Sequence, residues 1–136
     1  MPTARDLFSR LAQEWLSNPQ APSFPQDVLA EDVVIEIPLA PPGWPSRVEG
    51  RERFVALAEV GRRTMPLRFD QCHDVIVHET ADNADVIVEY QLGGTLTSTG
   101  APVVAPVIAV LRIHNGLISH WREYHNIAAL LHQPPS

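Results

Sequence analysis

Four long apolar segments in the second half of the sequence do most to restrict the fold. They cover residues 67–79, 84–99, 102–114 and 117–126, and each is rich in β-branched or aromatic residues. The connections between them are short and contain the turn formers Asn, Gly, Asp or Pro, which is typical of β-hairpins. The sequence therefore predicts an antiparallel meander of four strands.

The first half of the sequence predicts mainly helices. Residues 3–17 carry apolar side chains at helical spacing, and their start resembles a capping box. We expect a short second helix over 26–31, a strand over 32–39, a loop over 40–50 and a third helix over 50–65. This order is typical of an α+β fold, with helices packed on the concave side of a curved antiparallel sheet.

The chain length and charge restrict the class of protein. The 136 residues can bury one core, so we expect a single domain over residues 1–136. The net charge of -6 argues against binding to nucleic acid or to an anionic membrane surface. No apolar run is long enough to cross a membrane, and charged residues interrupt the N-terminal segment, so we expect a cytoplasmic protein. All ten basic residues are arginine, which suggests a GC-rich bacterial source.

Strand 102–114 is apolar on both of its faces. Alternation gives one row with Val103, Val107 and Leu111 and a second row with Val104, Ile108 and Val110. An antiparallel strand with two apolar faces needs cover on both sides. We expect the helices to cover one face and a second copy of the chain to cover the other, which makes the protein a homodimer.

The sequence contains no motif for a metal or a nucleotide cofactor. The six histidines show no close ligand spacing, and Cys72 is the single cysteine. Glycine-rich phosphate loops and the GxSxG motif of serine hydrolases are also missing. We therefore expect no metal, no cofactor and no serine-nucleophile hydrolysis.

The segment "HWREYHN", residues 120–126, is the main candidate for chemistry. Alternation places Trp121, Glu123 and His125 in one row, and His120, Arg122, Tyr124 and Asn126 in the other. A carboxyl group packed beside Trp121 loses hydration and can exchange a proton near neutral pH. The alternative is that Glu123 points outward and forms an ion pair with Arg112 on the next strand.

Two further residues could take part in acid–base chemistry. His73 shares its predicted row with Phe69 and Val77 and could act as a base, or it could be a core histidine bonded to a carbonyl group. Glu36 is an acid between apolar neighbours, and it could enter the cavity or lie on a solvated outer face.

Four large aromatic residues could bind an apolar molecule. Trp15 and Tyr90 could line a pocket or belong to the core, and Phe54 lies on the predicted inner side of helix 50–65. Trp44 lies on the predicted loop, where it could cover the pocket mouth or anchor an interface.

The order of elements, together with "EIPLAPPGWPSRVEGRERF" and "NGLISHWREYHN", resembles the SnoaL-like branch of the nuclear transport factor 2-like superfamily. The resemblance covers nearly the whole chain. It implies a cone-shaped curved sheet around helices, a deep apolar pocket and a dimer. Ketosteroid isomerases, limonene epoxide hydrolases, polyketide cyclases and phenazine-biosynthesis proteins share this fold, so the fold alone does not name the reaction.

Closer matching separates these groups. In ketosteroid isomerases an aspartate acts as the general base at the position where this sequence has Ile37. The nearest acid here, Glu36, is one residue earlier. The Arg-x-Asp pair of limonene epoxide hydrolases is absent. The segments "HDVIVHETADNADVIVEYQLGG" and "REYHN" are similar to phenazine-biosynthesis condensing proteins, in which a histidine and a glutamate of these strands assist acid–base condensation. That resemblance implies that His73 and Glu123 face the pocket.

Two hypotheses about function follow from these observations. The first is a small cofactor-independent enzyme of isomerase, cyclase or condensing type that acts on an apolar or aromatic small molecule. Glu123 would be its general acid/base with His73, and His125 would help to share the proton. The second is a non-catalytic module for ligand binding or dimerisation. The predicted pocket residues are Trp15, Glu36, Trp44, Phe54, Tyr90, Trp121 and His125.

Overall fold

Two helices and one six-stranded sheet form the part of the chain that the structure, a computed structural model, describes. This part comprises residues 3–17, 26–81 and 85–127. Neither helix in it is long and apolar enough to cross a lipid bilayer. The elements are α1 (Ala4–Ser17), a 3₁₀ turn (Gln26–Val28), β1 (Leu29–Glu36), β2 (Arg47–Glu49), α2 (Arg51–Thr64), β3 (Leu67–Glu79), β4 (Asp85–Leu96), β5 (Pro102–His114) and β6 (Leu117–His125).

The sheet is mixed and open. Its strand order is β2-β1-β6-β5-β4-β3, and β1 runs parallel to β6 whereas all other neighbours are antiparallel. The meander predicted from the sequence is present as β3 to β6. Helix α1 packs against β3, and α2 packs against β1 and β2. The predicted α+β class is confirmed.

The capping box predicted at the start of α1 is present. The backbone N–H of Asp6 donates to Oγ1 of Thr3, and the N–H of Thr3 donates to the Asp6 carboxylate. The hydrogen bond from the Thr3 backbone N–H to the carboxylate is the main cause of the lowered pKa of Asp6, because it favours the charged form. The cap orients α1 so that Leu7, Phe8 and Leu11 are buried in the core.

The two rows of β5 lie on opposite faces of the sheet, as alternation predicts. Val103, Val107 and Leu111 are buried on the inner face, which the helices cover. Val104 and Ile108 on the outer face remain 49% and 44% exposed. In the described part of the chain, helical cover therefore accounts for one face of this strand and leaves the apolar side chains of the other face in contact with solvent.

The helix predicted over 26–31 is wrong. Residues Gln26–Val28 form one 3₁₀ turn, and β1 begins at Leu29, which pairs with Ile118 of β6. Val28 and Leu29 are completely buried, and pairing with β6 satisfies backbone groups that a short helix would leave open at its ends. The predicted loop at 40–50 likewise contains a short strand, β2, which pairs with β1.

Irregular pairing in β3 changes which of its side chains face inward. The register between β3 and β4 shifts between Phe69 and Gln71 and again between His73 and Ile76. A bulge adds one residue to one strand, so the side chains beyond it exchange faces relative to a regular strand.

Gly94 of β4 allows the backbone of β3 to approach β4 closely at Arg68 and Phe69. A methyl group at residue 94 would lie 2.0 Å from the backbone oxygen of Arg68. A backbone atom cannot move away as the end of a side chain can, so glycine is required at this position. A methyl group at the neighbouring residue 93 would instead contact mainly side-chain atoms of Gln71, the nearest at 3.1 Å.

We expect Gly94→Ala to lower the free energy of unfolding by about 3 kcal/mol, because β3 must separate from β4. Gly93→Ala is the matched control and should change the free energy of unfolding by less than about 1 kcal/mol, since the exposed Gln71 side chain can rotate away. Urea denaturation followed by tryptophan fluorescence measures both. Equal losses for the two variants would contradict the role assigned to Gly94.

Candidate active site

A cavity of about 390 Å³ lies between the inner face of the sheet and the two helices. Side chains from α1, α2, β1, β3, β4, β6 and the loop before β2 line it. The wall is mostly apolar, and the polar side chains are those of Glu123, Arg63, Arg68 and Thr97. The apolar lining includes Leu11, Ile35, Ile37, Trp44, Phe54, Leu57, Met65, Leu67, Phe69, Leu92, Trp121 and Ile127.

Glu123 reaches this cavity from the inner face of β6. Its side chain is 18% exposed, and the Tyr90 hydroxyl donates a hydrogen bond to its Oε1. Tyr90 lies on β4, two strands away, and its hydroxyl reaches Glu123 across β5, where the residue opposite Glu123 is the small Ala109. The alternative in which Glu123 pairs with Arg112 is not found, because Arg112 binds Asp85 through two hydrogen bonds.

Tyr90 is held in its neutral form by its surroundings. Burial raises its pKa well above the usual value, and the nearby charge of Glu123 raises it further. The phenol therefore keeps its proton at neutral pH and remains a donor to the carboxylate.

His125 lies beside Glu123 in the same row of β6. Its side chain is 5% exposed, and its Nε2 is 3.9 Å from Oε2 of Glu123. Its Nδ1 accepts the backbone N–H of Ile127 at 3.4 Å. A neutral imidazole that accepts at Nδ1 carries its proton on Nε2, so this tautomer directs an N–H towards the carboxylate. Glu123 thus accepts a hydrogen bond from Tyr90 and has the imidazole of His125 on its other side, at a distance too long for a hydrogen bond.

An aromatic cluster holds these groups in position. The ring of Phe8 on α1 lies 4.8 Å from the ring of Tyr90 and 6.4 Å from that of Trp121, both in tilted arrangements that aromatic pairs favour. Tyr90 and Trp121 are buried. The helix therefore restricts the rotation of the phenol that binds Glu123.

Trp44 covers part of the cavity from the loop between β1 and β2. A methyl group at residue 61 would lie 3.3 Å from Cη2 of Trp44, so the indole packs directly on Gly61 of α2. Of the two positions expected for Trp44, the structure shows the one at the pocket, and Phe54 of the same helix also lines the cavity.

The structure places Glu36 outside the cavity. Its carboxylate binds Nε2 of His120 and the guanidinium of Arg47, each at 2.9 Å. The hydrogen bond from His120 is the main cause of its lowered pKa. Ile35 and Ile37 on either side of it line the cavity instead, because successive side chains of an extended chain point to opposite sides.

The structure does not bring His73 to Glu123. His73 lies opposite Gln91 on the outer face, its side chain is 43% exposed, and its Nδ1 is 3.3 Å from the Asp74 carboxylate. The bulge after Phe69 explains the difference from the regular alternation that the sequence suggests. Cys72 faces inward in its place, where burial and then the charge of Glu123 raise the pKa of its thiol.

Three other features complete the comparison with the predicted site. The side chain of Trp15 lies outside the described residues. Sequence patterns did not indicate Arg63 and Arg68 as lining residues, since arginines at a helix end and a strand start are usually surface groups. Among residues 3–17, 26–81 and 85–127, no three His, Cys, Asp or Glu side chains are grouped closely enough to hold a metal ion.

The raised pKa of Tyr90 predicts a specific loss of stability at alkaline pH. An unfolded tyrosine ionises near pH 10, whereas folded Tyr90 keeps its proton, so the free energy of unfolding should fall above about pH 10 by up to about 1.4 kcal/mol per pH unit. Tyr90→Phe should lose the part of this decrease that Tyr90 causes and keep only the part that the raised pKa of the Cys72 thiol causes, and the control Tyr124→Phe, which changes an exposed tyrosine, should follow the wild type. Urea denaturation between pH 8 and 11 measures the slopes. The chain has no lysine to titrate in this range. A wild-type slope in Tyr90→Phe would refute the assignment.

Comparison with known proteins agrees with the observed fold. A protein from Pseudomonas aeruginosa, described as an uncharacterised PhzA/B-like protein, is 36% identical over 100 residues, which are 74% of this chain and 69% of that protein. The structure of a candidate isomerase from Bacillus subtilis is 26% identical and superimposes with a TM-score of 0.77 over 94% of this chain and 88% of that chain.

A candidate polyketide cyclase from Pseudomonas putida shares the fold at 24% identity. Its TM-score is 0.76, and the superposition covers 99% of this chain and 100% of that chain. Residues 18–121 match the family described as the SnoaL-like domain. This match covers most of the chain, including the segments that carry Glu123's neighbours Tyr90 and Trp121. The chain therefore belongs to the SnoaL-like family.

Proposed function

We propose that this protein is a cofactor-independent acid/base enzyme of the isomerase, cyclase or condensing type that acts on an apolar or aromatic small molecule. The observation that carries the proposal is Glu123, a carboxylate inside an apolar cavity with Tyr90 as hydrogen-bond donor. The SnoaL-like family and its polyketide cyclase and isomerase neighbours support the same class of chemistry.

The arrangement around Glu123 suits the removal of a proton from a bound substrate. The hydrogen bond from Tyr90 holds the carboxylate in one orientation, so it can accept a proton from a carbon atom next to a carbonyl group. The proton can return to another atom of the same molecule, so that isomerisation or ring closure balances without a redox cofactor.

His125 takes the supporting position that we first expected for His73. Its Nε2 lies 3.9 Å from Oε2 of Glu123, whereas His73 lies on the outer face. Nε2 of this tautomer already carries a proton, so His125 would help to orient Glu123, and Glu123 itself would take the proton that the substrate loses.

The alternative is a non-catalytic binding module of the same fold. Ketosteroid isomerases have an aspartate that acts as the general base at the position of Ile37. Here Ile37 lines the cavity as an apolar residue, which favours the alternative. Such a module would bind ligands without proton transfer. An assay that records both ligand binding and proton transfer therefore separates the two functions.

We expect wild-type protein to catalyse exchange of the α-protons of bound aryl ketones with D₂O, measured by NMR over a panel of such ketones. Glu123→Gln should slow the exchange by about 10²–10⁴-fold, because it removes the general base. Glu31→Gln is the matched control, since Glu31 is an exposed acid on β1 of the same sheet and does not line the cavity. It should keep the wild-type rate.

Ligand binding is measured on the same samples by tryptophan fluorescence. Ketones that bind the wild-type protein without proton exchange across the panel would support the binding module. Full exchange by Glu123→Gln would exclude Glu123 as the base.

We also propose that the protein forms a homodimer through the outer face of its sheet. Ile76, Glu89, Ile108 and Tyr124 form one row across four neighbouring strands, and the three apolar members of the row are exposed. Val104 extends the apolar surface along β5. A second copy of the same surface would bury these side chains and offset the cost of their contact with water.

We expect the variant Ile108→Arg to dissociate the proposed homodimer into monomers, because each copy would place a charge in the apolar contact. Sedimentation equilibrium at micromolar concentration should give a dimer for the wild type and a monomer for the variant. Val60→Arg is the control, since Val60 is similarly exposed on α2, away from the sheet. A monomeric wild type would refute the homodimer.

A further inference from the structure

Two arginines adjoin the cavity that holds Glu123. Arg63 lies in the last turn of α2 and Arg68 is the second residue of β3, and the segment between them includes the lining residues Met65 and Leu67. Both arginines are exposed whereas Leu67 is buried, so their side chains lie at the rim of the cavity and not in its interior.

These guanidinium groups have no protein partner in the described part of the chain. No hydrogen bond or ion pair joins either of them to a described residue, although the chain has 16 acidic residues and 10 basic ones. Arginines elsewhere on the surface are engaged: Arg47 binds Glu36 and Glu49, and Arg112 binds Asp85. These two cations lie at the mouth of an otherwise apolar cavity and bind no acid among the described residues, so they are available to a ligand.

A purely structural role explains one of the two residues at most. A cation in the last turn of a helix interacts favourably with the helix dipole, which accounts for Arg63. Arg68 lies on a strand opposite Thr95 and has no such role. Thr97, which directly follows the end of β4, also lines the cavity and adds a hydroxyl group to it.

We propose that the ligand of this cavity is an amphipathic anion, an apolar or aromatic body that carries a carboxylate or a similar acidic group bound by Arg63 and Arg68. This proposal rests on the proposed function and adds the class and orientation of its substrate. The charge of Glu123 repels an anion from the inner part of the cavity, and the guanidinium groups attract it to the rim. The apolar part of the ligand therefore points inward, towards Glu123.

A pair of fluorescent probes tests the proposal. N-phenyl-1-naphthylamine is neutral, and 8-anilinonaphthalene-1-sulfonate has the same aromatic body with one added anionic group. We expect the wild-type protein to bind the sulfonate more tightly than the neutral probe, with a preference that decreases as salt is added. The neutral probe should displace the sulfonate, because both occupy the same cavity.

The double variant Arg63→Gln/Arg68→Gln should weaken binding of the sulfonate by about tenfold, the loss expected for one to two charge-assisted contacts at a solvated site. Its affinity for the neutral probe should stay within about twofold, which also shows that the variant is folded. Arg53→Gln is the matched control, because Arg53 is an exposed arginine of the same helix that does not line the cavity. It should leave both affinities unchanged.

The proposal is overturned if the double variant keeps the wild-type preference for the sulfonate, if both probes weaken equally, or if the neutral probe does not displace the sulfonate. These outcomes are independent of catalysis. Glu123→Gln should retain the preference for the anionic probe, so a protein that shows the preference but no proton exchange would refute the proposed reaction and leave the ligand class standing.

Discussion

The hydrogen bond between Tyr90 and Glu123 places a charged group in the interior of an apolar fold, and much of the surrounding structure serves to hold it. Glu123 can lie on the inner face of β6 because the residue opposite it on β5 is Ala109, whose small side chain leaves space for the phenol of β4 to reach across. An unpaired carboxylate in such a cavity would be costly to bury. The phenol on one side and the imidazole of His125 on the other reduce that cost.

The two faces of the sheet therefore have different chemistry. The inner face carries the aromatic cluster, the cavity and Glu123, while the outer face carries apolar side chains and Glu36, which forms an ion pair with Arg47 and a hydrogen bond with His120. The acids Glu36 and Glu123 are on strands that lie next to each other, yet alternation directs them to opposite sides. Glu36 lines a second pocket on the outer face among mostly polar and charged side chains, where His120 and Arg47 bind it, whereas Glu123 adjoins the mostly apolar inner cavity. This difference separates a candidate base from a structural ion pair.

Much of the architecture could be predicted because the relevant signals are local. The meander β3–β6 follows from alternation and turn residues, the start of α1 follows from Thr3 and Asp6, and the two rows of "HWREYHN" follow from the period of an extended strand. The bulges of β3 could not be predicted in this way, since they depend on how β3 and β4 approach each other at Gly94. For that reason the inward residue near Glu123 is Cys72 and not His73.

The sequence by itself determined the α+β class, the family and which residues share a row with Glu123 on β6, because these depend on periodicity and motif within single segments. Tertiary structure decided which groups meet Glu123. The contact with Tyr90 crosses an intervening strand, the contact of Trp44 with Gly61 joins a loop to a helix, and the rim arginines are brought to the cavity by the turn from α2 into β3. Such contacts depend on strand register and on the packing of distant segments, which no local pattern specifies.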